Sequence, residues 1–473
     1  MSEYLKKTPA LLLLFSLCLI FCGCEHMSGY LGFMQRHTSL ENAFQNQPRA
    51  ELLRELSPEG CFRLEGNLVL NQRQKIPLIA VIVSHRFGHE IVVASELVVG
   101  IPFYAVFIPE GEYTVFFFAD LDRNGFFDSH ELVGQTSKDK PIRVAVDRTE
   151  DGFTVEAPKV DIDFNSPRVS GFPLRIKVSS RSYIFDSLDN DIFAARYGQM
   201  GLYHPTALIT HTQGFFFGLE EYDARKTQVL FVHGVGGTPQ DWKFIVAGLD
   251  RTRVQPWFFY YPSGLPLEKL GSLLARLKID LAKALKKDTN RRVVIVAHSM
   301  GGLVAQNAIN KICRDGIPPH LKMYISFSTP YGGVEGAKSG VAYAPVVVPS
   351  WRDVATGSDF LDRMYRQKSI PEVPSYLFFG YQDDSTVRSS ASSDGVITLK
   401  SQLDPRRQLT AQKVYGFDTT HMGILNNEEV RRVFNQLLEL AGQNEVRNKN
   451  AGRFAGEIKD MVELPGIGEN RTP

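Results

Sequence analysis

The stretch "RRVVIVAHSMGGLVAQNAI", from Arg291 to Ile309, drives an apolar run into Ser299 and then directly into a helix-forming segment. In a parallel sheet, a strand that turns sharply into a helix pushes its turn residue out over the strand's carboxyl end. A serine there can act as a nucleophile if the turn can close. Closure needs small residues two places before and after, and Ala297 and Gly301 supply them, with Ala297 replacing the first glycine of the commoner G-x-S-x-G pattern. The blander alternative is a small residue at a crowded turn. A hydroxyl also needs a base to take its proton, and a tetrahedral oxyanion needs preorganised N–H donors. The Met300 amide, first in the helix, is one expected donor. "VLFVHGVGGTPQDW" offers the second at Val235 N–H, because Gly234, Gly236 and Gly237 let the backbone approach a substrate, with His233 expected to brace the loop.

The elements that must hold these residues begin at Thr227. "QVLFVHG", "VQPWFFYYP", "RRVVIVAHS", "KMYISFSTP" and "VPSYLFFGYQDD" read as strands, alternating with helical segments such as the amphipathic "LEKLGSLLARLKIDLAKALKK". Near-continuous apolar strands with helices between them predict a parallel sheet covered on both faces.

Together, "FVHGVGGTPQDW", "VVIVAHSMGGLV" and the "STPYGG" after the next strand resemble the α/β-hydrolase superfamily, in particular its lipase-like serine esterases, over about Thr227 to Leu440. The resemblance implies a nucleophile, acid and histidine in that chain order, working without a cofactor. "ASSDGVITLKSQ" offers Asp394 as the acid and "YGFDTTHMGILNNEEVRRVF" offers His421 as the base; Asp383 and Asp384, directly after "YLFFGYQ", are rival acids. His298 should leave the turn in a different direction from Ser299, and His211 and His320 read as surface or packing residues. An insertion over residues 331–374 is either a lid over the site or a structural subdomain at the sheet edge.

The amino terminus, "MSEYLKKTPALLLLFSLCLIFCGCEH", has two lysines, an apolar run too short to span a bilayer, and then Gly23-Cys24. It resembles a bacterial lipoprotein signal over residues 1–24, with Cys24 as the lipidated residue, although Phe21 stands where leucine is usual. A plain secretory peptide or an uncleaved anchor is the alternative. Residues 25–58 then read as a tether leading away from a membrane, in the bacterial cell envelope on the periplasmic or outer side. Three of the five cysteines fall in the signal, and Cys61 and Cys313 lack metal-ligand spacing, so two free thiols are expected, with a disulfide permitted.

Between 59 and 157, short strands rich in β-branched and aromatic residues predict a β-sandwich-like domain. Residues 158–226 read as a connector packing on the catalytic domain, 227–442 as that domain, and 443–473 as a polar tail. The expected fold class is therefore α/β, an α/β-hydrolase doubly wound parallel sheet preceded by a small all-β domain. Within the β domain, "DLDRNGFFDSHE" sets Asp120, Asp122, Asn124, Asp128 and Glu131 at the spacing of a calcium loop, with Gly125 at the sharp turn; the alternative is a polar turn between strands.

Charge gives the exclusions. Lys and Arg total 53 against 52 for Asp and Glu, so no basic field points to nucleic acid. The function expected is a membrane-tethered, exported serine esterase or lipase acting on acyl ester or lipid. An acyltransferase with the same three residues, or a surface-binding lipoprotein with a silent hydrolase domain, are the alternatives.

Overall fold

The computed structural model describes residues 28–35, 61–70, 76–86, 89–98, 102–145, 154–177, 185, 187–212, 215–284, 292–314, 316–344, 347–366, 373–382 and 392–443. Cys24, Asp383, Asp384 and most of the tail from 443 lie outside them.

The strand-rich part comprises β1 (Cys61–Leu70), β2 (Leu78–Arg86), β3 (His89–Val98), β4 (Phe103–Pro109), β5 (Gly111–Ala119), β6 (Phe126–Asp128), β7 (Leu132–Gln135), β8 (Ile142–Val144), β9 (Thr154–Glu156), β10 (Val160–Ile162) and β11 (Arg175–Lys177). One sheet runs β10-β1-β4, with β9 also on β1; a second runs β3-β2-β5-β7, with β8 on β5. Strand alternation explains how they stack. Tyr113, Val115, Phe117 and Ala119 on β5 pack with Phe62 and Leu64 of β1, whereas Phe116 and Phe118 face the other way, onto Phe127, Phe172 and Leu174. The second sheet is thus covered on both faces, which is why "VFFFA" is apolar throughout. β10 and β11, inside the stretch read as a connector, belong to this strand-rich part by their pairing with β1 and β6.

The chain then passes through the helices Ala195–Tyr203 and Pro205–Thr212 to the second large sheet. Its strands are β12 (Phe216–Gly218), β13 (Thr227–Val232), β14 (Val254–Phe259), β15 (Val293–His298), β16 (Leu321–Phe327), β17 (Ser375–Gly380) and β18 (Lys413–Phe417), in the order β12-β14-β13-β15-β16-β17-β18. All pairs are parallel except the edge pair β12 with β14. On β15, Ile295 and Ala297 join one layer with the helices Leu267–Ala284 and Met300–Ile312, while Val294 and Val296 join the opposite layer with Glu428–Gln443. Helices on both faces of a parallel sheet make this a doubly wound α/β domain. β13 has β14 on one side and β15 on the other, so the chain reverses its direction of winding there, and the loops after β13 and β15 open beside each other at the carboxyl ends.

The segment read as a tether also differs from its sequence reading. Residues 28–35, within the stretch read as a tether leading away, form a helix that buries Tyr30 and Phe33 against Leu202, Tyr203 and Val348. Tyr30 stacks on Trp351 with ring centroids 5.7 Å apart. Aromatic burial of this kind anchors the helix to the α/β domain. The 331–374 insertion divides between its two readings. Helix Asp359–Arg366 sends Phe360, Leu361 and Met364 into the core, whereas helix Glu335–Tyr343 buries no residue and leaves Tyr343 exposed. Cys313 is buried. Among the described residues no helix is long and apolar enough to cross a membrane.

Candidate active site

Ser299 sits between β15 and the helix Met300–Ile312 with φ 52° and ψ −131°, a left-handed φ that costs an L-residue about 1–3 kcal/mol. The neighbours enforce it. The Ser299 N–H donates to Phe327 O at 2.8 Å, tying the turn to the adjacent strand. A side chain at Gly301 would collide with the His233 carbonyl, and one at Gly302 with Thr329. The nucleophile turn is therefore wedged between the loop after β13 and the "STP" loop after β16, and only glycines let the three come together.

The loop after β18 brings His421 to this serine. Ser299 Oγ–H donates to His421 Nε2 at 2.9 Å, and His421 Nδ1–H donates to Asp394 Oδ2 at 2.8 Å. The His421 N–H also donates to Asp394 O at 2.8 Å, so main chain and side chain fix the pair. All three residues are buried, Asp394 completely. Burial alone would push the Asp394 carboxyl up, but the charge and hydrogen bond of His421 and the N–H groups of Ile397 and Val396 together hold it below its ordinary value. An ionised Asp394 keeps the Nδ1 proton in place, which leaves the Nε2 lone pair facing Ser299.

The donors expected for an oxyanion are also at this corner. Gly234 lies against Ser299, since a Cβ built on it would stand 3.1 Å from the Ser299 Cβ. Among the described residues neither the Val235 nor the Met300 N–H has a hydrogen-bond partner. The loop carrying Val235 is clamped. Gly236 N–H donates to Ser263 Oγ at 2.9 Å, and Thr238 and Asp241 form a reciprocal capping box at the loop's end. Helix Ala195–Tyr203 presses on it from outside, because Gly198 has no room for a side chain beside the Gly236 carbonyl.

The other histidines have structural partners. His233 Nδ1–H donates to Gly234 O at 2.8 Å, its Nε2 accepts the Tyr261 N–H at 3.2 Å, and its ring stacks on Tyr261. Burial pushes His233 down to about 4, so it stays neutral and braces the loop. His298 Nε2–H donates to His421 O at 3.0 Å, and burial pushes it down to about 3. It holds the loop of His421 and has no contact with Ser299 Oγ. Gln402 went unnoticed in the sequence: its amide donates to Gly380 O and Ile397 O and accepts from Gly380 N–H, joining the end of β17 to the loop of Asp394. Ser263 was missed for the same reason. Each acts on a segment distant in the chain, and no local pattern marks it.

A parallel, doubly wound sheet with a strained serine after a central strand, a histidine after the last strand and an acid between them defines the α/β-hydrolase class, and the carboxy-terminal half of this chain is an α/β-hydrolase domain. Residues 229–446 match the model of the alpha/beta hydrolase family. No curated protein matches. Among solved structures the chain is similar to the mature form of the Bacillus licheniformis lipase BlEst2, with 19% identity over 47% of this chain and 98% of that one and a TM-score of 0.37. It is also similar to a Paleococcus ferrophilus monoacylglycerol lipase, with 14% identity over 46% and 96% of the two chains and a TM-score of 0.33. The phospholipase PlaB of Legionella pneumophila is 17% identical over 37% of this chain and 45% of its own, with a TM-score of 0.31.

Proposed function

We propose that this protein is a serine hydrolase that cleaves carboxylic esters, with Ser299 as nucleophile, His421 as general base and acid, and Asp394 as the residue that orients His421. The observation that carries this reading is the continuous hydrogen-bonded chain from Ser299 Oγ through His421 to Asp394. Ser299 Oγ attacks the ester carbonyl as its proton passes to His421 Nε2. The resulting oxyanion accepts from the Val235 and Met300 N–H groups, and the proton on His421 goes to the departing alkoxide. Water, activated by the same histidine, releases the acid from the acyl-enzyme.

The same reading includes export and attachment to a membrane of the bacterial cell envelope through Cys24. The docked helix supports close attachment, because its described residues start four positions after Cys24, at Ser28, and bury Tyr30 and Phe33 on the α/β domain. An anchor there would hold the hydrolase domain near the lipid surface.

Hydrolysis of a chromogenic ester series from acetyl to long acyl, measured for the native chain and Ser299→Ala, tests the chemistry. Turnover that disappears in the variant is the expected result. Equal turnover in both, or failure of a fluorophosphonate to label Ser299, would remove the assignment. Metabolic labelling with a fatty acid, compared between the native chain and Cys24→Ser, tests the anchor independently.

A further inference from the structure

We propose that the loop of residues 120–131, between β5 and β7, is a calcium site of the β domain, with oxygens from Asp120, Asp122, Asn124, Asp128 and Glu131 and the backbone carbonyl of Phe126. The inference stands apart from the ester chemistry and rests on buried charge. Glu131 is 1% exposed and Asp120 6%. Asp120 Oδ1 is shut off from solvent and has no hydrogen-bond partner among the described residues. A buried carboxylate oxygen is normally paired with a donor or a cation, because leaving it alone forfeits its hydration for nothing in return.

The surrounding geometry shows what kind of partner is called for. Glu131 Oε1 accepts the Leu121 N–H at 2.7 Å and the Asp122 N–H at 3.3 Å, and its Oε2 accepts the Asp128 N–H at 2.9 Å. The chain after Asp120 therefore wraps around this carboxylate and fixes it inside the loop. Side-chain atoms of Asp122, His130 and Glu131 that could ligate an ion lie within 4.8 Å of one another. The Asn124 Nδ2 stands 3.0 Å from both Asp122 Oδ2 and Asp128 Oδ2, a donor bridging two carboxylates as a cation would. The Asn124 Oδ1 accepts the Phe126 N–H at 2.7 Å, so the residue is held within the loop.

Charge completes the argument. Four carboxylates fall within twelve residues of chain, and among the described residues their one ionic partner is Arg175, 3.2 Å from Asp128 Oδ1 with its own side chain 62% exposed. A solvent-exposed guanidinium neutralises little. The donors are oxygens, several from one short loop, which suits a hard cation of high and flexible coordination number; magnesium retains more of its water, and zinc favours nitrogen and sulfur. Among the described residues His130 is the one imidazole of the group.

The experiment uses the full chain in detergent, stripped with chelator and dialysed. Equilibrium dialysis against calcium should retain one ion per chain, and calcium should raise the melting midpoint by several degrees, since an ion that binds only the folded state stabilises it. Asp120→Asn and Asp122→Asn should each weaken retention tenfold or more. Asp122 is exposed, so its variant keeps the fold and reads binding alone even if Asp120→Asn does not fold. No calcium retained at millimolar concentration, undiminished retention by Asp122→Asn, or retention of zinc but not calcium would each overturn the proposal.

Discussion

The corner around Ser299 and the loop 120–131 treat their buried polar groups in opposite ways. In the α/β domain the polar side chains of the site find partners within the chain: Ser299 with His421, His421 with Asp394, His298 with the His421 carbonyl, His233 with Gly234 and Tyr261. In the β domain the loop 120–131 buries carboxylates beyond what its own donors satisfy, and Asp120 Oδ1 has no partner among the described residues. The first arrangement is preorganised for proton transfer, because each group holds the next in a fixed tautomer and orientation. The second leaves one buried carboxylate oxygen open, which the proposed calcium would fill. A closed hydrogen-bond network and an open set of oxygens are thus two outcomes of one constraint, that buried polar atoms be satisfied.

The largest effects should come from breaking the closed network. Ser299→Ala is expected to lower kcat on an ester substrate by about 10⁴-fold or more, measured at saturating substrate. Asp394→Asn should lower it by about 10³- to 10⁴-fold with the fold intact by circular dichroism, because the amide would stabilise the wrong tautomer of His421. Were Asp383→Asn or Asp384→Asn the harmful change instead, the acid would have been misassigned. Removing calcium should leave kcat unchanged while lowering the melting midpoint, which would separate the two regions cleanly.

Smaller effects probe how the site is carried. Phe33→Ala should cost about 3–5 kcal/mol of stability by denaturant unfolding, since the side chain fills the contact between the helix 28–35 and Tyr203. A neutral result would mean that this helix is not docked in solution. Asp353→Asn should have the smallest effect, and one that depends on pH. Burial raises the Asp353 carboxyl to about 6, so the folded state holds its proton more tightly than the unfolded state does. The group's contribution to stability is therefore present below about pH 4 and declines as the pH rises towards 6. Asparagine still accepts the Leu267 N–H, which Asp353 Oδ2 meets at 2.6 Å, so the variant should melt higher than the native chain above pH 6 and no higher at pH 4.

What could be read locally was read from short patterns. A strand ending in a serine between small residues, glycines after "VLFVH", and alternating strands and helices are properties of contiguous residues, since backbone sterics and periodicity act over a few positions. The calcium-loop spacing is equally local. By itself, then, the sequence determined the α/β class, the turn at Ser299, and the candidate residues Asp394 and His421. Only the tertiary structure decided that those three meet, and that Ser263 and Gln402 hold the loops beside them. It also decided that the helix 28–35 lies on the hydrolase domain and that Asp120 Oδ1 is buried without a partner among the described residues. These depend on contacts between segments tens to hundreds of residues apart, and whether such contacts form is settled by packing and burial of the whole chain.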